Sequence, residues 1–227
     1  MVTIEKITSE LHNAYNLINA AFFENKLPVI AITIQSESRR KLTMGWCTTK
    51  EVWGDKEGKI KMYEINLTPE FLDLDFYETM DTLMHEMVHL YNIVHGIQDV
   101  SRNGTYHNNK FKEQSIKRGF EYKSDTPDKK YGWSFSKLSQ ATKDQLDKMA
   151  IDKKAFAIAR RSPTYFQQIE EGNTSPDKEE GEEKETSSER KKSFKWICPS
   201  CEAILRTTKQ HMNIICGDCD KKFEMQD

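Results

Sequence analysis

Long apolar runs are absent from this sequence. No stretch approaches the roughly 18 consecutive apolar residues that a membrane-spanning helix needs, and residues 1–6 lack the apolar core of a secretory signal. Charged residues make up 31% of the chain and apolar residues 37%, a balance typical of soluble proteins. We therefore expect a protein that stays in the cytoplasm and has no membrane partner.

Cysteine is scarce, with five residues, and four of them form two Cys-x-x-Cys pairs. The first pair is Cys198 and Cys201, and the second is Cys216 and Cys219. Four thiolates at this spacing fill the tetrahedral shell of one zinc ion, which predicts a structural zinc ribbon at the C-terminal end. Two disulfides are the alternative, and a cytoplasmic setting disfavours them. The fifth cysteine, Cys47, is predicted to be a buried strand residue.

The sequence also contains one H-E-x-x-H motif, formed by His85, Glu86 and His89. An apolar stripe at helical spacing surrounds it and predicts a packed helix. Side chains four residues apart project from the same face of a helix, so the two imidazoles can bind one zinc ion. Glu86 is offset by one position and can act as a general base on a water molecule. A satisfied structural pair of histidines is the alternative interpretation.

A catalytic zinc usually needs a third protein ligand, and two histidines are candidates. His95 lies where the metzincin motif H-E-x-x-H-x-x-G-x-x-H has its last histidine, with Asn92 in place of the helix-breaking glycine. However, the helical pattern continues towards Gly96, which is a stronger stop signal. His107 follows a polar loop and is predicted to open another helix. A loop that returns to the motif helix would place it opposite the first two histidines, so we favour His107.

These features resemble the SprT-like zinc metalloprotease family, to which the Spartan-related proteases belong. That family carries H-E-x-x-H and, after a variable loop, a third histidine followed four residues later by phenylalanine, as in His107 and Phe111. Asn108 departs from the glycine that often follows the third histidine, but asparagine can adopt the same backbone shape. The resemblance covers about residues 8–122 and implies a zinc-dependent peptidase. The matching upstream segments are residues 15–23, 27–34, 44–46 and 65–69.

Periodicity predicts an α+β fold. A first helix around residues 11–22 is followed by the motif helix and the His107 helix, with one or two more helices within 140–161. An extended piece is expected at 131–133. The predicted strands of the sheet that precedes the motif helix are residues 29–34, 42–48 and 60–67.

A change of composition marks the predicted domain boundaries. Residues 172–193 contain no aromatic and no aliphatic side chain, so they cannot bury enough apolar area to become ordered. We expect a small zincin-type metalloprotease domain over residues 1–171, a flexible charged linker over 172–193 and the four-cysteine zinc ribbon over 194–227.

Basic residues are concentrated after residue 100, although the whole chain has a net charge of only −2. Lys110, Lys112, Lys117 and Arg118 are predicted to belong to a basic face beside the site, as a contact for a polyanion. A solvated surface with scattered lysines explains the same pattern equally well. Spartan-like relatives cleave proteins attached to DNA, and zinc ribbons often bind nucleic acid, so the resemblance implies DNA as the polyanion.

Together these features predict a zinc-dependent endopeptidase with one catalytic and one structural zinc. A zinc-activated water would attack the scissile carbonyl, with Glu86 taking the proton as general base. Tyr106, next to His107, is a candidate donor to the oxyanion, and a packing role is its alternative. Substrate backbone is expected to add to the sheet edge near residues 44–48. A non-catalytic nucleic-acid-binding adaptor is the competing hypothesis, and hydrolysis of a non-peptide substrate is a third.

Overall fold

The computed structural model describes residues 1–36, 43–170 and 194–226. The chain divides into two compact units, Met1–Arg161 and Ser162–Asp227. The predicted linker at 172–193 lies outside the described residues, so the predicted domain boundaries remain predictions. Helices are combined with small sheets, which confirms the α+β class. No helix in the described parts of the chain is long and apolar enough to cross a membrane.

The first unit alternates long helices with short strands. Its helices are α1 (Ile4–Phe22), α2 (Phe76–Val94), α3 (Asn109–Lys117) and α4 (Gln140–Leu146). Its strands are β1 (Ile30–Ile34), β2 (Gly45–Cys47), β3 (Trp53–Gly54), β4 (Lys61–Leu67), β5 (Val100–Ser101), β6 (Tyr106–His107), β7 (Phe120–Glu121) and β8 (Lys137–Leu138). Short 3-10 turns occur at Pro69–Phe71 and Lys153–Ala155.

The main sheet has the strand order β1-β4-β2, and β3 also pairs with β4. β1 runs parallel to β4, with Ile32 opposite Ile65, whereas β2 runs antiparallel, with Trp46 opposite Asn66. The three strands predicted before the motif helix are therefore present, and residues 45–47 within the predicted segment 42–48 form the edge strand. Edge strands leave one row of backbone groups unpaired by the sheet.

Helix α2 forms the centre of the core. Asp75 caps its first turn by accepting from the backbone N–H of Tyr77. The helix ends at Val94, and Gly96 follows with φ of +66°, a conformation that favours glycine. The predicted stop at Gly96 is therefore confirmed. The residues of α2 that are fully buried in the hydrophobic core are Met80, Leu83, Met84, Met87, Val88 and Leu90.

His107 does not open a helix, which corrects that part of the sequence prediction. It lies in β6, and Asn108 then caps α3 by accepting from the backbone N–H groups of Lys110 and Phe111. Asn108 has φ of −90°, so it needs no left-handed backbone in place of the family's glycine. Helix α3 is followed by Gly119 with φ of +88°, a left-handed conformation that commonly ends helices.

The second unit contains α5 (Pro163–Glu170) and a three-stranded sheet of β9 (Phe194–Ile197), β10 (Ile204–Thr207) and β11 (Glu224–Gln226). The strand order is β10-β9-β11, and both pairings are antiparallel. Trp196 at the centre of β9 is buried, whereas Ile204 is 61% exposed and so does not belong to the small apolar core. With so little buried apolar area, this sheet needs a further source of stability.

Candidate metal centres

Three histidines converge at the face of α2. The Nε2 atoms of His85 and His89 lie 3.2 Å apart, and the Nε2 atom of His107 lies 3.2 Å from that of His85 and 3.0 Å from that of His89. Tetrahedral zinc with Zn–N bonds of about 2.0–2.1 Å requires ligand nitrogens about 3.3–3.4 Å apart. The triangle is therefore close to the size that zinc requires.

The protonation of the rings also fits a metal. His89 points its Nδ1 atom at Asp99 Oδ2, 2.7 Å away, and His107 points its Nδ1 atom at the Tyr131 carbonyl, 3.3 Å away. Both partners act as acceptors, so each Nδ1 carries the proton and each Nε2 keeps a free lone pair. Lone pairs that face one another at this distance repel unless a cation lies between them. The donor set is compatible with zinc.

The pKa values agree with neutral imidazoles at two of the three ligands. Burial, reinforced by the nearby His89 and His107, lowers the pKa of His85 well below its usual range. Burial also lowers the pKa of His107 to about 4. Burial lowers the pKa of His89, but the hydrogen bond to Asp99 and the charge of Glu86 raise it, and the net shift is upward. A bound cation would compete with that proton for the ring.

Phe111 forms the apolar base of the triad. It is fully buried, and its ring centroid lies 4.7 Å from those of His85 and His89 and 4.6 Å from that of His107. One aromatic ring thus supports all three imidazoles and limits their rotation. The spacing of four residues between His107 and Phe111 brings this ring under the site, because α3 turns back towards α2.

Glu86 lies on α2 beside the edge strand. It is 7% exposed, and a Cβ atom added to Gly45 would lie 3.4 Å from its Cγ atom, so β2 passes directly over this side chain. Burial raises the pKa of Glu86 to about 7, against the lowering effect of His89. The backbone N–H of Cys47, on this strand, also lowers the pKa of Glu86 because it favours the charged carboxylate. The carboxylate can therefore exchange a proton near neutral pH.

Asp99 was missed by sequence reasoning. Its Oδ2 atom accepts from His89 Nδ1 and also from Asn92 Nδ2, at 2.7 Å and 2.9 Å. Nothing in its sequence context distinguishes it from an ordinary loop aspartate, because its role depends on a loop that returns to α2. Such partners behind metal-ligating histidines fix the ring orientation.

His95 lies apart from the triad. It is exposed at the C-terminal end of α2, where its Nδ1 atom contacts the Tyr91 carbonyl at 2.8 Å and its ring stacks on Tyr91. Asn92, in the position of the metzincin glycine, stays helical and buried. The alternative third ligand is therefore not brought to the site.

Tyr106 packs beside Arg102, and the predicted basic residues differ in their exposure to solvent. The ring of Tyr106 lies under the Arg102 guanidinium at 4.3 Å, and strand alternation turns it away from the side to which His107 points. The packing alternative accounts for this contact, and the oxyanion role of Tyr106 stays a prediction. Lys110 and Lys117 are exposed, whereas Lys112 places its ammonium group 3.5 Å from the ring centroid of Trp133.

Arg118 corrects the predicted polyanion contact. It is only 5% exposed, and its guanidinium lies 3.6 Å from the ring centroid of Tyr91. Its Nη1 atom donates to the side-chain and backbone oxygens of Gln114. Helical spacing alone did not reveal that the residue capping the C-terminal end of α3 turns inward. Arg118 is a packing residue and does not present its charge to solvent.

The four predicted ribbon cysteines also converge. The sulfur atoms of Cys198, Cys201, Cys216 and Cys219 all lie within 4.8 Å of one another, and those of Cys201 and Cys216 are 3.6 Å apart. Tetrahedral zinc with Zn–S bonds of about 2.3 Å requires sulfur atoms about 3.8 Å apart. Backbone N–H groups of the first knuckle lower the pKa of Cys198 to about 7, which favours a thiolate.

The two knuckles share one backbone shape. Glu202 and Asp220 each follow the second cysteine of a pair, and they have φ of +58° and +51°. Each donates its N–H to the carbonyl of the first cysteine of its pair, at 3.0 Å and 2.9 Å. Each turn closes the backbone between the two cysteines of a pair, and the resulting four-sulfur cluster is compatible with a structural zinc.

Comparison with known proteins adds a family. The SprT-like family matches residues 11–139, which is more than half of the 227 residues. No curated relative and no solved structure matches the chain. The matched segment includes the three histidines, Glu86 and Asp99, and it ends before the four-cysteine cluster. The chain belongs to the SprT-like family and carries a metalloprotease-like domain.

Proposed function

We propose that this protein is a zinc-dependent endopeptidase. The observation that carries the proposal is the convergence of three imidazole Nε2 atoms within 3.2 Å of one another on the helix that also holds the buried Glu86. Unlike Asp99, Glu86 has no described hydrogen bond to a ligand ring, and a buried carboxylate without such a partner is costly to charge. A hydrolytic site needs it as a base.

The residues have separate roles in this proposal. His85, His89 and His107 would hold the catalytic zinc, which supplies a Lewis acid that activates water and polarises the scissile carbonyl. Glu86 takes a proton from the attacking water on its carboxylate and delivers it to the leaving amine nitrogen.

The edge strand β2 offers a way to hold an extended substrate. Thr48 N–H donates to the Glu64 carbonyl and Thr68 N–H donates to the Met44 carbonyl, so residues 44 and 48 pair with β4. In an antiparallel ladder the alternate residues, Gly45 and Cys47, direct their backbone groups to the opposite, open edge. A peptide that adds to this edge would lie beside Glu86.

The substitution Glu86→Gln tests the proposal. It keeps the shape of the side chain but removes the base, so we expect two zinc ions per chain and a loss of peptide cleavage of at least about 100-fold. Glu78→Gln is the matched control, because Glu78 lies on the same helix but is 41% exposed and contacts Lys137. Normal cleavage by Glu86→Gln would show that Glu86 is not the base. An adaptor without catalytic function would show no cleavage even in the wild type.

We also propose that the substrates are proteins associated with DNA. Support comes from the exposed Lys110 and Lys117 on α3, the helix that follows His107, and from the family resemblance. If both lysines contact phosphates, replacing either one by alanine should reduce the slope of log binding constant against log salt concentration by about one. Lys59→Ala, at the exposed tip of the β3–β4 hairpin, is the control. An unchanged slope in both variants would leave these lysines as ordinary surface residues.

A further inference from the structure

We infer that Asp99 is a positioning residue for the metal, which fixes the ring of His89 and ties it to the segment that carries His107. The inference rests on the proposed catalytic metal site. It assigns a role to a residue outside the H-E-x-x-H motif, and it explains how ligands from two separate elements keep one geometry.

The side chain of Asp99 determines which ring nitrogen of His89 carries the proton. The Oδ2 atom lies 2.7 Å from His89 Nδ1, and the Asp99 side chain is 5% exposed while that of His89 is 14% exposed. A carboxylate can only accept in this geometry, so the ring proton stays on Nδ1 and the Nε2 lone pair points at the other two histidines. In the absence of this acceptor the ring could rotate or change tautomer.

Asn92 holds the carboxylate in place. It lies three residues after His89 on the same face of α2, is fully buried, and donates from Nδ2 to the same Oδ2 atom at 2.9 Å. Its backbone carbonyl also accepts from Ile97 N–H at 2.7 Å, which turns the chain back towards the helix. One helix face therefore supplies both the ligand and the residue that orients its partner.

The backbone of Asp99 reaches the other half of the site. Its carbonyl accepts from Asn108 N–H at 2.9 Å, and the next residue, Val100, pairs with His107 between β5 and β6. Asp99 thus contacts His89 through its side chain and the neighbour of His107 through its backbone. A shift of this residue would change the distance between the two ligands.

Zinc affinity of the full chain tests the inference. We would measure the dissociation constant of the histidine site by competition with a fluorescent chelator, for wild type, Asp99→Ala, Asp99→Asn and the control Asp81→Asn. Asp81 is a mostly buried carboxylate on α2 that accepts from Leu138 N–H and has no contact with a ligand among those described. Loss of an outer partner of a metal-ligating histidine costs about 10–100-fold in metal affinity.

The expected result is a 10–100-fold weaker site in Asp99→Ala, a smaller loss in Asp99→Asn, which keeps one acceptor oxygen, and no change in Asp81→Asn. Long-range ¹⁵N spectra of the chain with the histidine site stripped of metal, recorded at a pH where the ring is neutral, should show His89 protonated on Nδ1 in the wild type and a mixture of tautomers in Asp99→Ala. A merely structural aspartate would not alter the tautomer.

Two results would overturn the inference. A dissociation constant within about twofold of wild type in Asp99→Ala would do so. If Asp99→Ala does not fold, Asp99→Leu, which has a side chain of similar length but no acceptor, decides the matter by the same criterion. A wild-type chain that binds zinc only at its cysteines would remove the metal site itself, and the proposed function with it. The first result leaves the proposed function intact, so the two failures can be distinguished.

Discussion

Gly132 provides a sharp test of how the strand of His107 is held. It has φ of +66°, and a Cβ atom at this position would lie 2.1 Å from the His107 carbonyl oxygen and 3.0 Å from the ring of Tyr106. The backbone of residue 107 cannot move aside easily, since its N–H donates to the Tyr131 carbonyl and its own carbonyl accepts from Trp133 N–H. Gly132→Ala must therefore displace the strand that carries the third ligand.

The magnitude follows from two contributions. Left-handed backbone costs alanine about 1–2 kcal/mol, and overpacking costs about 1–3 kcal/mol more, so we expect Gly132→Ala to lower the free energy of unfolding by about 2–5 kcal/mol. Gly104 is the matched control. It has φ of +83° but nothing within 4 Å of its Cβ position. Gly104→Ala should therefore lower the free energy of unfolding only by the cost of left-handed backbone, about 1–2 kcal/mol.

The assay is urea-induced unfolding of the zinc-saturated full chain, with zinc affinity of the histidine site measured alongside. We expect Gly132→Ala to be less stable than Gly104→Ala by about 1–3 kcal/mol and to bind zinc more weakly, because its His107 is displaced. Equal stability and equal zinc affinity in the two variants would refute the reasoning. Both glycines would then contribute only backbone freedom.

Three further predictions concern the metals and pH. His107→Ala should reduce the zinc content from two to one per chain while His95→Ala leaves it at two, by elemental analysis; the reverse pattern would make His95 the ligand. Cys216→Ser should remove the other zinc and unfold the ribbon, because such small domains depend on their metal, and a ribbon that keeps its dispersed NMR spectrum would contradict this. Burial raises the pKa of Asp81 to about 6 from the usual 3.8, and its side chain is 15% exposed. The folded state then binds more protons than the unfolded state, so the free energy of unfolding falls as pH rises from about 4 to about 6. The free energy of unfolding of Asp81→Asn should therefore exceed that of wild type by up to about 3 kcal/mol at about pH 8, but by little at about pH 4. A less stable Asp81→Asn at the higher pH in urea unfolding would show that the Lys137 contact outweighs burial.

Local patterns predicted much of the framework. The apolar stripe around the motif identified α2, and the stop at Gly96 set its end, because helical periodicity and left-handed glycines are properties of neighbouring residues. The strand at 29–34 and the segment around Gly45 were found in the same way. The pattern failed where an element is very short: His107 was placed in a helix because two residues of β6 are too few to show any period.

The basic face shows a second kind of failure. Lys117 and Arg118 are adjacent and similar in sequence, yet the first is exposed and the second is 5% exposed against Tyr91. Charge in a sequence does not reveal which face of a short helix meets another helix. A long side chain such as arginine can bury its stem and guanidinium against aromatic rings.

The sequence by itself determined which chemistry is present. The H-E-x-x-H motif and the two Cys-x-x-Cys pairs were sufficient to identify the candidate metal ligands. The geometry within each motif is set by residues that are only a few positions apart. The tertiary structure decided that His107 and not His95 completes the triad, and it placed the Asp99 carboxylate beside His89. Both depend on the path of the chain between residues 95 and 108, and long-range contacts of that kind are determined by packing between elements that no local pattern encodes.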